Sequence, residues 1–468
     1  MSDINERIGV DKVSGVISPT LRSVMSWLNW ILIFGFLVLY GCDYSRAEEA
    51  KHPISGLTPI QIESVGTDLA QEMSDSLGAV IAGASIVAIG ESRHDTREQF
   101  LVKAEIFKTL VNEFGFRTLI IEESFSHALA IDAYVTKGEG QIRQILSSLA
   151  GWYLWDTEEM VDLIQWIRDY NKSATNQQMI RVLGMDITAP ALGVANVLAI
   201  AHESDPEGEW LTRDFGNDLH EGDFWPGTLQ RYRSLDESRR AAIEKNLDDL
   251  AAYMNELSLE SPLEIRIDGQ LAALQAEIGV LGHEMFSSSS IAEIGAVREH
   301  GMKRVVEWID SEVAGSSGIV LWTHNLHAAK STFRMPQMGD DDFVPMGMLM
   351  FKSYRDGYRS IGGSFGAGNY SSEAPPGERR FLRQDPSSMD GAMGQLANSN
   401  FLVNLRDLDR SEPASGWLAK EREWRMQDVS AFLNPLAAFD GVYYVDEVSR
   451  ATFTPNALKR HSEANKAH

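Results

Sequence analysis

Four short apolar segments of the sequence are each followed at once by side chains that exchange protons. These side chains are histidines and carboxylates, and they stand at Glu91, His94, Glu122, Asp186, His324 and His327. Histidine takes a proton from water near neutral pH, and a neighbouring carboxylate fixes its tautomer and stabilises the imidazolium. The pattern therefore points to general-base chemistry. His94 is the best candidate for the base, with Glu91 and Glu122 as the groups that orient it or the water.

The apolar segments themselves predict buried β-strands, because they are short and rich in β-branched residues. They run over Ser85–Gly90, Thr118–Ile121, Met179–Leu183 and Gly318–Thr323. Helical patterns lie between and after them, over 95–114, 124–136, 157–171 and 190–203. This order predicts an α/β fold with a parallel-sheet core and helices on both faces. Ligands bind beyond the carboxyl ends of such strands, so we expect the four polar endings to share one cleft.

Further local signals complete the expected fold. Asp95 with Glu98 and Ser290 with Glu293 have the spacing of helix capping boxes. Residues 362–368 are rich in glycine and read as a turn, and Gly441–Val445 is a last strand candidate. Residues 236–314 are mostly helix formers, so a large helical insertion or cap is expected over about 205–314. We expect one catalytic domain over 61–455, followed by a polar tail over 456–468.

The N-terminal region predicts export and a membrane anchor. Residues Val24–Gly41 carry no charge, and the run ends in Leu39-Tyr40-Gly41-Cys42, which is similar to a bacterial lipobox. Cys42 is the sole cysteine and the expected lipidation site. A plain transmembrane anchor is the alternative, since 18 uncharged residues just span a bilayer. Either form of this 1–42 segment, joined by a polar linker over 43–60, places the globular part on the exported side of a membrane.

Composition and missing motifs exclude several classes of function. The sequence contains 42 Lys+Arg and 67 Asp+Glu residues, which gives a net charge of −25. This negative charge argues against nucleic acid as a partner. A single cysteine excludes a disulfide framework and cysteine-rich metal sites. The sequence also lacks a G-x-S-x-G elbow, a P-loop and a dinucleotide fingerprint. The remaining chemistry is that of histidine and carboxylate acting on a small molecule.

Three alternatives stay open on the residues alone. His94, His324 and His327 with Glu91 and Glu122 have the side chains of a divalent-metal hydrolase site, although no cofactor is the first expectation. Clefts rich in histidine and tryptophan also hold haem or other ligands, so a non-catalytic binding lipoprotein is a further candidate. The tryptophans Trp152, Trp155 and Trp166 line a pocket in one reading and pack in the core in the other.

An ordered series of motifs resembles the erythromycin esterase family. The series is Gly90-Glu91-Ser92-Arg93-His94 with Arg97-Glu98, Gly115-Phe116 through Glu122, Trp152, Trp155, Trp166, Arg168, Asn171, Gly184 and Asp186, Arg298 and Met302, His324-Asn325 with His327, and Met346-Gly347. The order and spacing fit over about 85–370. The sequence departs from the family on both sides of His94. Arg93 stands where the family usually has Ser or Thr, and Asp95 stands where it usually has Gly.

This resemblance implies hydrolysis of a macrolide lactone or another carboxylic ester without a covalent serine intermediate. It implies that His94 activates water with Glu91 and Glu122 as partners, and that His324 and His327 polarise the carbonyl or position the substrate. Arg97 or Arg168 would hold the carboxylates. Asp186 and Trp155 complete the expected substrate-positioning set.

Overall fold

The computed structural model describes residues 52–464, apart from 63–65, 67–70, 221–224, 261–262, 338, 340 and 374–375. The apolar segment Val24–Gly41, Cys42 and the first half of the expected linker, 43–51, therefore lie outside the described residues. The second half of that segment is described, and there Ile54 and Leu57 are buried and Ile60 begins a strand, so these residues belong to the folded domain. Among the helices that are described, none has the length and apolar character needed to cross a membrane.

Most strands join one mixed sheet. The strands are β1 (Ile60–Gln61), β2 (Ile86–Ile89), β3 (Phe116–Ser124), β4 (Arg181–Asp186), β5 (Gly318–Trp322), β6 (Tyr358–Glu373), β7 (Pro376–Phe381), β8 (Phe401–Asn404), β9 (Arg422–Met426), β10 (Val429–Leu433) and β11 (Gly441–Val448). Their order is β1-β8-β11-β6-β2-β5-β3-β4, with β7 paired to β6, while β9 and β10 form a separate hairpin. Neighbours from β11 to β4 are parallel. The strands β1, β7 and β8 pair antiparallel.

The four strands expected from the sequence lie side by side. They are β2, β5, β3 and β4, and because they are parallel their carboxyl ends share one edge of the sheet. Successive residues of β2 pack into opposite cores: Ile86 and Ala88 into one, Val87 and Ile89 into the other. Both faces of the sheet are thus covered by apolar side chains, which explains the uninterrupted apolar strands. The predicted α/β class is confirmed.

Helices surround the sheet and fill the long connection between β4 and β5. The α-helices are Gln71–Ile81, Arg97–Phe114, Phe125–Lys137, Ile142–Ser147, Trp152–Trp155, Glu158–Ser173, Ala191–Ser204, Trp225–Ser234, Glu237–Glu260, Leu263–Ser287, Ile291–Ile309, Asn325–Ala328, Met346–Tyr354, Met389–Leu396, Pro413–Leu418, Pro435–Ala438 and Pro455–Ala464. Short 3₁₀ turns lie at Asn176–Gln178, Trp210–Thr212, Asn217–His220 and Arg355–Gly357, and a π-turn at Asp310–Ala314. The insertion is helical as expected, whereas the domain limits stay predictions.

The sequence predicted a turn over the glycine-rich segment 362–368, and this prediction was wrong. The segment is the middle of strand β6. Its glycines serve close packing. A Cβ atom on Gly363 would lie 3.0 Å from the Cα atom of Glu91 and would collide with the hydroxyl of Tyr443. Strand β6 therefore approaches the end of β2 only because it lacks side chains there.

One of the two expected capping boxes forms. Ser290 and Glu293 cap the helix Ile291–Ile309 reciprocally. At the other site the prediction was wrong: the helix Arg97–Phe114 begins after Thr96, without a side-chain cap. Asp95 instead pairs with Arg93, and Glu98 accepts hydrogen bonds from the backbone and hydroxyl of Ser449. Asp95 is thus bound by a near neighbour in sequence and Glu98 by a distant residue, so neither side chain caps the helix.

Candidate active site

Asn325 connects the segment after β5 to the end of β2 through its backbone and to the middle of β6 through its side chain. Its amide donates to the carbonyl of Gly363 at 2.7 Å, and its Oδ1 accepts from the N–H of Gly363 at 2.8 Å. Its backbone N–H donates to the carbonyl of Glu91 at 2.8 Å. Asn325 thus fixes the segment after β5 against β2 and β6, and the histidines on either side of it take their positions from this junction.

His94 lies at this edge beside a buried carboxylate. Its Nδ1 lies 2.7 Å from Oε1 of Glu91, and 12% of its side chain is exposed. Nothing among the described residues hydrogen-bonds to its Nε2. The pair therefore has a carboxylate on one ring nitrogen and leaves the other for a proton from outside.

The other oxygen of Glu91 binds a buried lysine. Nζ of Lys103 lies 2.6 Å from Oε2 of Glu91, donates to the carbonyl of Thr323 at 3.1 Å and lies over the ring of Trp322. Burial lowers the pKa of Lys103 to about 8, against the opposing attraction of Glu91. Below that pH the ammonium compensates the carboxylate charge, so Glu91 is held between a cation and an imidazole.

Glu122 belongs to a second network that begins at Arg298. Nη2 of Arg298 lies 2.9 Å from Oε1 of Glu122 and 2.8 Å from Oδ2 of Asp186, to which its Nε also donates. The other oxygen of Glu122 accepts from the hydroxyl of Thr323 and from the backbone of His324. Burial alone would raise the pKa of Glu122, but nearby cationic groups, His327 foremost, hold it well below its usual range. This carboxylate is therefore ionised.

His327 is clamped between two carboxylates. Its Nε2 lies 3.1 Å from Oε1 of Glu122 and its Nδ1 lies 2.6 Å from Oε1 of Glu299. Burial would lower the pKa of His327, but the attraction of both carboxylates raises it to about 10. With a pKa of about 10, His327 is positively charged at neutral pH, although Nη1 of Arg298 also lies 3.2 Å from its Nε2.

His324 is the opposite case, a neutral imidazole with both nitrogens used inside the protein. Its Nε2 donates to the carbonyl of Ser92 at 3.0 Å, and its Nδ1 accepts from the backbone of Leu326 at 3.2 Å. Burial and the neighbouring His94 lower the pKa of His324 far below its ordinary value. The ring centre lies 4.9 Å from that of His94. His324 therefore packs beside the ring of His94.

The structure brings Glu91, His94, Glu122, His324 and His327 into one connected set, as the sequence led us to expect of the strand ends. Asp186 joins it through Arg298. The same edge also holds Glu123, whose carboxylate accepts from the backbone of Ser124, Ala150 and Gly151. Burial raises the pKa of Glu123 to about 8. Through its hydrogen bonds to Ala150 and Gly151, Glu123 fixes the loop that precedes Trp155.

Three of the expected positioning residues have their contacts elsewhere. Arg97 pairs with Glu159 at 3.3 Å and is half exposed. Arg168 donates to the carbonyl of Tyr134 and lies over that ring. Trp155 is fully buried and packs edge-on against Phe100, so its side chain belongs to the core.

The expected arginine clamp is therefore corrected. The carboxylates Glu91 and Glu122 take their cations from Lys103 and Arg298, not from Arg97 or Arg168. The physical reason is position: Arg97 and Arg168 lie on helical surfaces that face other carboxylates and carbonyls. Lys103 and Arg298 project from their helices toward the strand ends.

The sequence-based prediction missed Lys103 and Glu299 as site residues, and it included Arg298 and Asn325 only as parts of the family motifs. A signal for Lys103 was present. It stands between Phe100 and Phe107 at helical spacing, on a face that is otherwise apolar, and a cation there needs a buried partner. Glu299 has no comparable signal, because its partner His327 is brought to it by the fold.

The charges of the site bear on the metal alternative. Within the described residues, no group of three or more His, Cys, Asp or Glu side chains is arranged to hold a metal ion. The carboxylate oxygens that a divalent cation would need are already bound by Lys103, Arg298 and His327. A divalent ion would have to displace these cations, so the set fits metal-free chemistry better.

Comparison with known proteins identifies relatives of this chain. The sequence profile of the erythromycin esterase family matches residues 111–448. The chain is 22% identical to an erythromycin esterase type II of Escherichia coli over 397 residues, 80% of this chain and 92% of the relative. It is also 22% identical to a putative hydrolase, YbfO, of Bacillus subtilis (strain 168), over 56% of this chain and 63% of the relative.

Solved structures share the fold. A Bacillus cereus protein superposes with a TM-score of 0.71 at 21% identity, covering 86% of this chain and 97% of its own. A mutant erythromycin esterase in its open conformation superposes with a TM-score of 0.65 at 17% identity, covering 82% of this chain and 96% of its own. Since the family profile spans most of the sequence, the chain belongs to the erythromycin esterase family.

Proposed function

We propose that this protein hydrolyses a carboxylic ester by direct attack of water, with His94 as the general base. Family membership supports a hydrolase of the erythromycin esterase type. The observation that carries the finer proposal is the His94–Glu91 pair, in which Nδ1 faces a buried carboxylate at 2.7 Å and Nε2 faces away from any described partner. A base needs this combination of a fixed tautomer and a nitrogen open to its proton donor.

In the proposed reaction Nε2 of His94 takes a proton from water while the water oxygen bonds to the ester carbonyl carbon. Glu91 accepts the Nδ1–H bond and stabilises the imidazolium. The imidazolium then returns the proton to the leaving alkoxide as the carbon–oxygen bond breaks, so the products are a carboxylic acid and an alcohol. The fixed positive charges of His327 and Arg298 favour the negative oxygen of the tetrahedral intermediate.

His324 takes a different part in this proposal. Because its two ring nitrogens bind Ser92 and Leu326, it supports the loop of His94 and does not polarise the carbonyl. The Ser92 carbonyl and the His94 backbone belong to the same short loop, so a shift of the His324 ring moves the base.

The first substrate to test is a macrolide lactone, because the Escherichia coli relative is an erythromycin esterase. Another carboxylic ester is the second candidate, and no cofactor is proposed. We further propose that the chain acts on the exported side of a membrane through its apolar segment and lipidated Cys42. Incorporation of labelled palmitate into the wild type but not into Cys42→Ala tests this anchor, and equal labelling of both contradicts it.

The test of the proposed reaction is turnover by the full-length chain. Erythromycin and a panel of simple esters are incubated with and without EDTA, and products are followed by mass spectrometry. We expect a gain of one water that EDTA leaves unchanged. His94→Ala should lose about 10²–10⁴-fold in rate while its unfolding curve stays that of the wild type.

His300→Ala is the matched control, since His300 is an exposed histidine that bonds only its own helix. Retained turnover in His94→Ala would contradict the proposed mechanism. EDTA-sensitive cleavage would favour the metal-dependent alternative on the same cleft. A Soret absorbance band in the purified chain, without ester turnover, would favour the non-catalytic haem-binding alternative.

A further inference from the structure

The tip of the β9–β10 hairpin rests on the loop that carries His94. The hairpin joins Arg422–Met426 to Val429–Leu433, and Met426 pairs with Val429, so its loop is the dipeptide Gln427-Asp428. The backbone N–H of Gln427 donates to the carbonyl of Ser92 at 2.8 Å. Its side-chain Oε1 accepts from the backbone N–H of His94 at 3.0 Å. Gln427 therefore binds this loop with both its backbone N–H and its side-chain amide oxygen.

These two bonds also connect the base to its neighbour. The carbonyl of Ser92 that accepts from Gln427 accepts from Nε2 of His324 as well. The next residue of the tip, Asp428, pairs with Arg93 at 2.9 Å. Three consecutive residues, Ser92, Arg93 and His94, are thus bound by two consecutive residues of a distant hairpin.

The backbone of Gln427 has a conformation that residues with a side chain rarely adopt. Its φ angle is 53°, in the left-handed region, at the first loop position of a two-residue hairpin. Turns with a positive φ at this position favour glycine there, and a residue with a Cβ atom is strained by about 1–3 kcal/mol. Glycine would supply the backbone N–H without strain but would lack the amide oxygen that His94 uses. The strained residue is the one that provides both bonds.

We infer that Gln427 is a positioning residue that fixes the backbone of His94 and so directs Nε2 of that ring toward the attacking water. The inference rests on the proposed function for its chemistry, while the geometry of the contact stands by itself. A displacement of about 1 Å in a reacting group costs up to 10²-fold in rate, which sets the scale of the expected effect.

The decisive variant is Gln427→Gly, which keeps the N–H bond to Ser92, removes the strain and deletes the side chain whose amide oxygen binds the backbone of His94. We expect unchanged or higher thermal stability together with a kcat lower by about 10–100-fold and a nearly unchanged KM. Gln427→Glu keeps an acceptor at the same reach and should recover most of the loss. A purely structural role would instead lower stability and leave kcat per folded molecule unchanged.

Two controls separate strain from positioning. Glu209→Gly relieves a similar positive φ of 54° far along the chain, and Ser430→Ala alters the same hairpin at a bond to Glu423. Both should leave kcat at the wild-type value. Loss of turnover in Ser430→Ala equal to that in Gln427→Gly would overturn the inference, because any disturbance of the hairpin would then suffice.

A second readout does not depend on turnover. In the full-length chain labelled with ¹⁵N-histidine, the ring signals of His94 are identified by their loss in His94→Ala. A changed titration of those signals in Gln427→Gly supports positioning, and an unchanged titration overturns it. If the titration changes but the wild type cleaves no ester, positioning stands and the proposed function fails. If the titration changes and kcat does not, the inference is overturned.

Discussion

The Nζ atom of Lys103 lies 2.6 Å from Oε2 of Glu91, and the two side chains are 0% and 1% exposed. A carboxylate in such a place stays ionised only with a compensating cation nearby. His94, the proposed base, therefore depends on a lysine that it does not touch, on the helix that follows it in the chain.

Replacement of Lys103 by methionine should be severe for stability as well as activity. Met fills much of the same volume but leaves the Glu91 charge uncompensated, and breaking a buried pair costs about 3–5 kcal/mol. Urea unfolding measures the loss. Lys172→Met on the helix Glu158–Ser173 is the control, since Lys172 and its partner Asp169 are both more than half exposed, and this variant should leave stability nearly unchanged. Equal stability of Lys103→Met and the wild type would contradict the prediction.

The pH dependence of turnover should report the same lysine. Burial lowers the pKa of Lys103 to about 8, so its positive charge is lost as the pH rises through that value. We expect kcat to decline above about pH 8, because Glu91 then lacks its cation. Lys103→Arg keeps its charge at every accessible pH, so any residual activity should show no such decline. An identical alkaline limb in this variant would assign the decline to another group.

His327 should make stability depend on pH in a defined window. Its pKa is raised to about 10 in the folded chain by Glu122 and Glu299, against burial, from an ordinary 6.5. The folded state therefore holds more protons between these values, and the stabilisation is complete below pH 6.5 and lost toward pH 10. The stability gap between wild type and His327→Asn, measured by urea unfolding, should shrink across this window. A gap that stays constant from pH 6 to pH 10 would sink the prediction.

Trp155 should behave as a core residue and not as a substrate contact. It is fully buried against Phe100, so Trp155→Ala should cost about 3–5 kcal/mol in unfolding free energy. The KM of the fraction that remains folded should stay unchanged. A raised KM with normal stability would contradict this prediction and indicate that Trp155 contacts the substrate.

Much of the fold follows from local patterns. The strands β2, β3, β4 and β5 carry short apolar runs, and each run ends where a polar side chain begins, so both the elements and the meeting of their ends were predictable. The same patterns misread 362–368, because glycines that mark a turn in most sequences here allow β6 to pack against Glu91. Sequence alone does not distinguish these two uses of glycine.

The partners of the site were less predictable than its members. Glu91, His94 and Glu122 come just after predicted strands, so the sequence pattern identifies them. Lys103 and Arg298 are helical residues, and their role depends on which way their helices face. On sequence grounds, Arg97 and Arg168 were equally good candidates for the cations that pair with these carboxylates. Only the packing of the helices decides which cation reaches a buried carboxylate, and that packing is set by contacts distant in sequence.

The strand order has a consequence for synthesis of the chain. Ile86 of β2 pairs with Ile319 on one side and Tyr358 on the other, so both partners of this strand leave the ribosome long after it does. Until then β2 is an apolar strand with two open edges, which is a hazard for aggregation, and such non-local pairing folds slowly. The ion pair of Glu91 with Lys103 lies within one local stretch and can form early. The nascent chain therefore carries Glu91, His94 and Lys103 for most of its translation, and it completes the candidate site only after His324 and His327 have emerged.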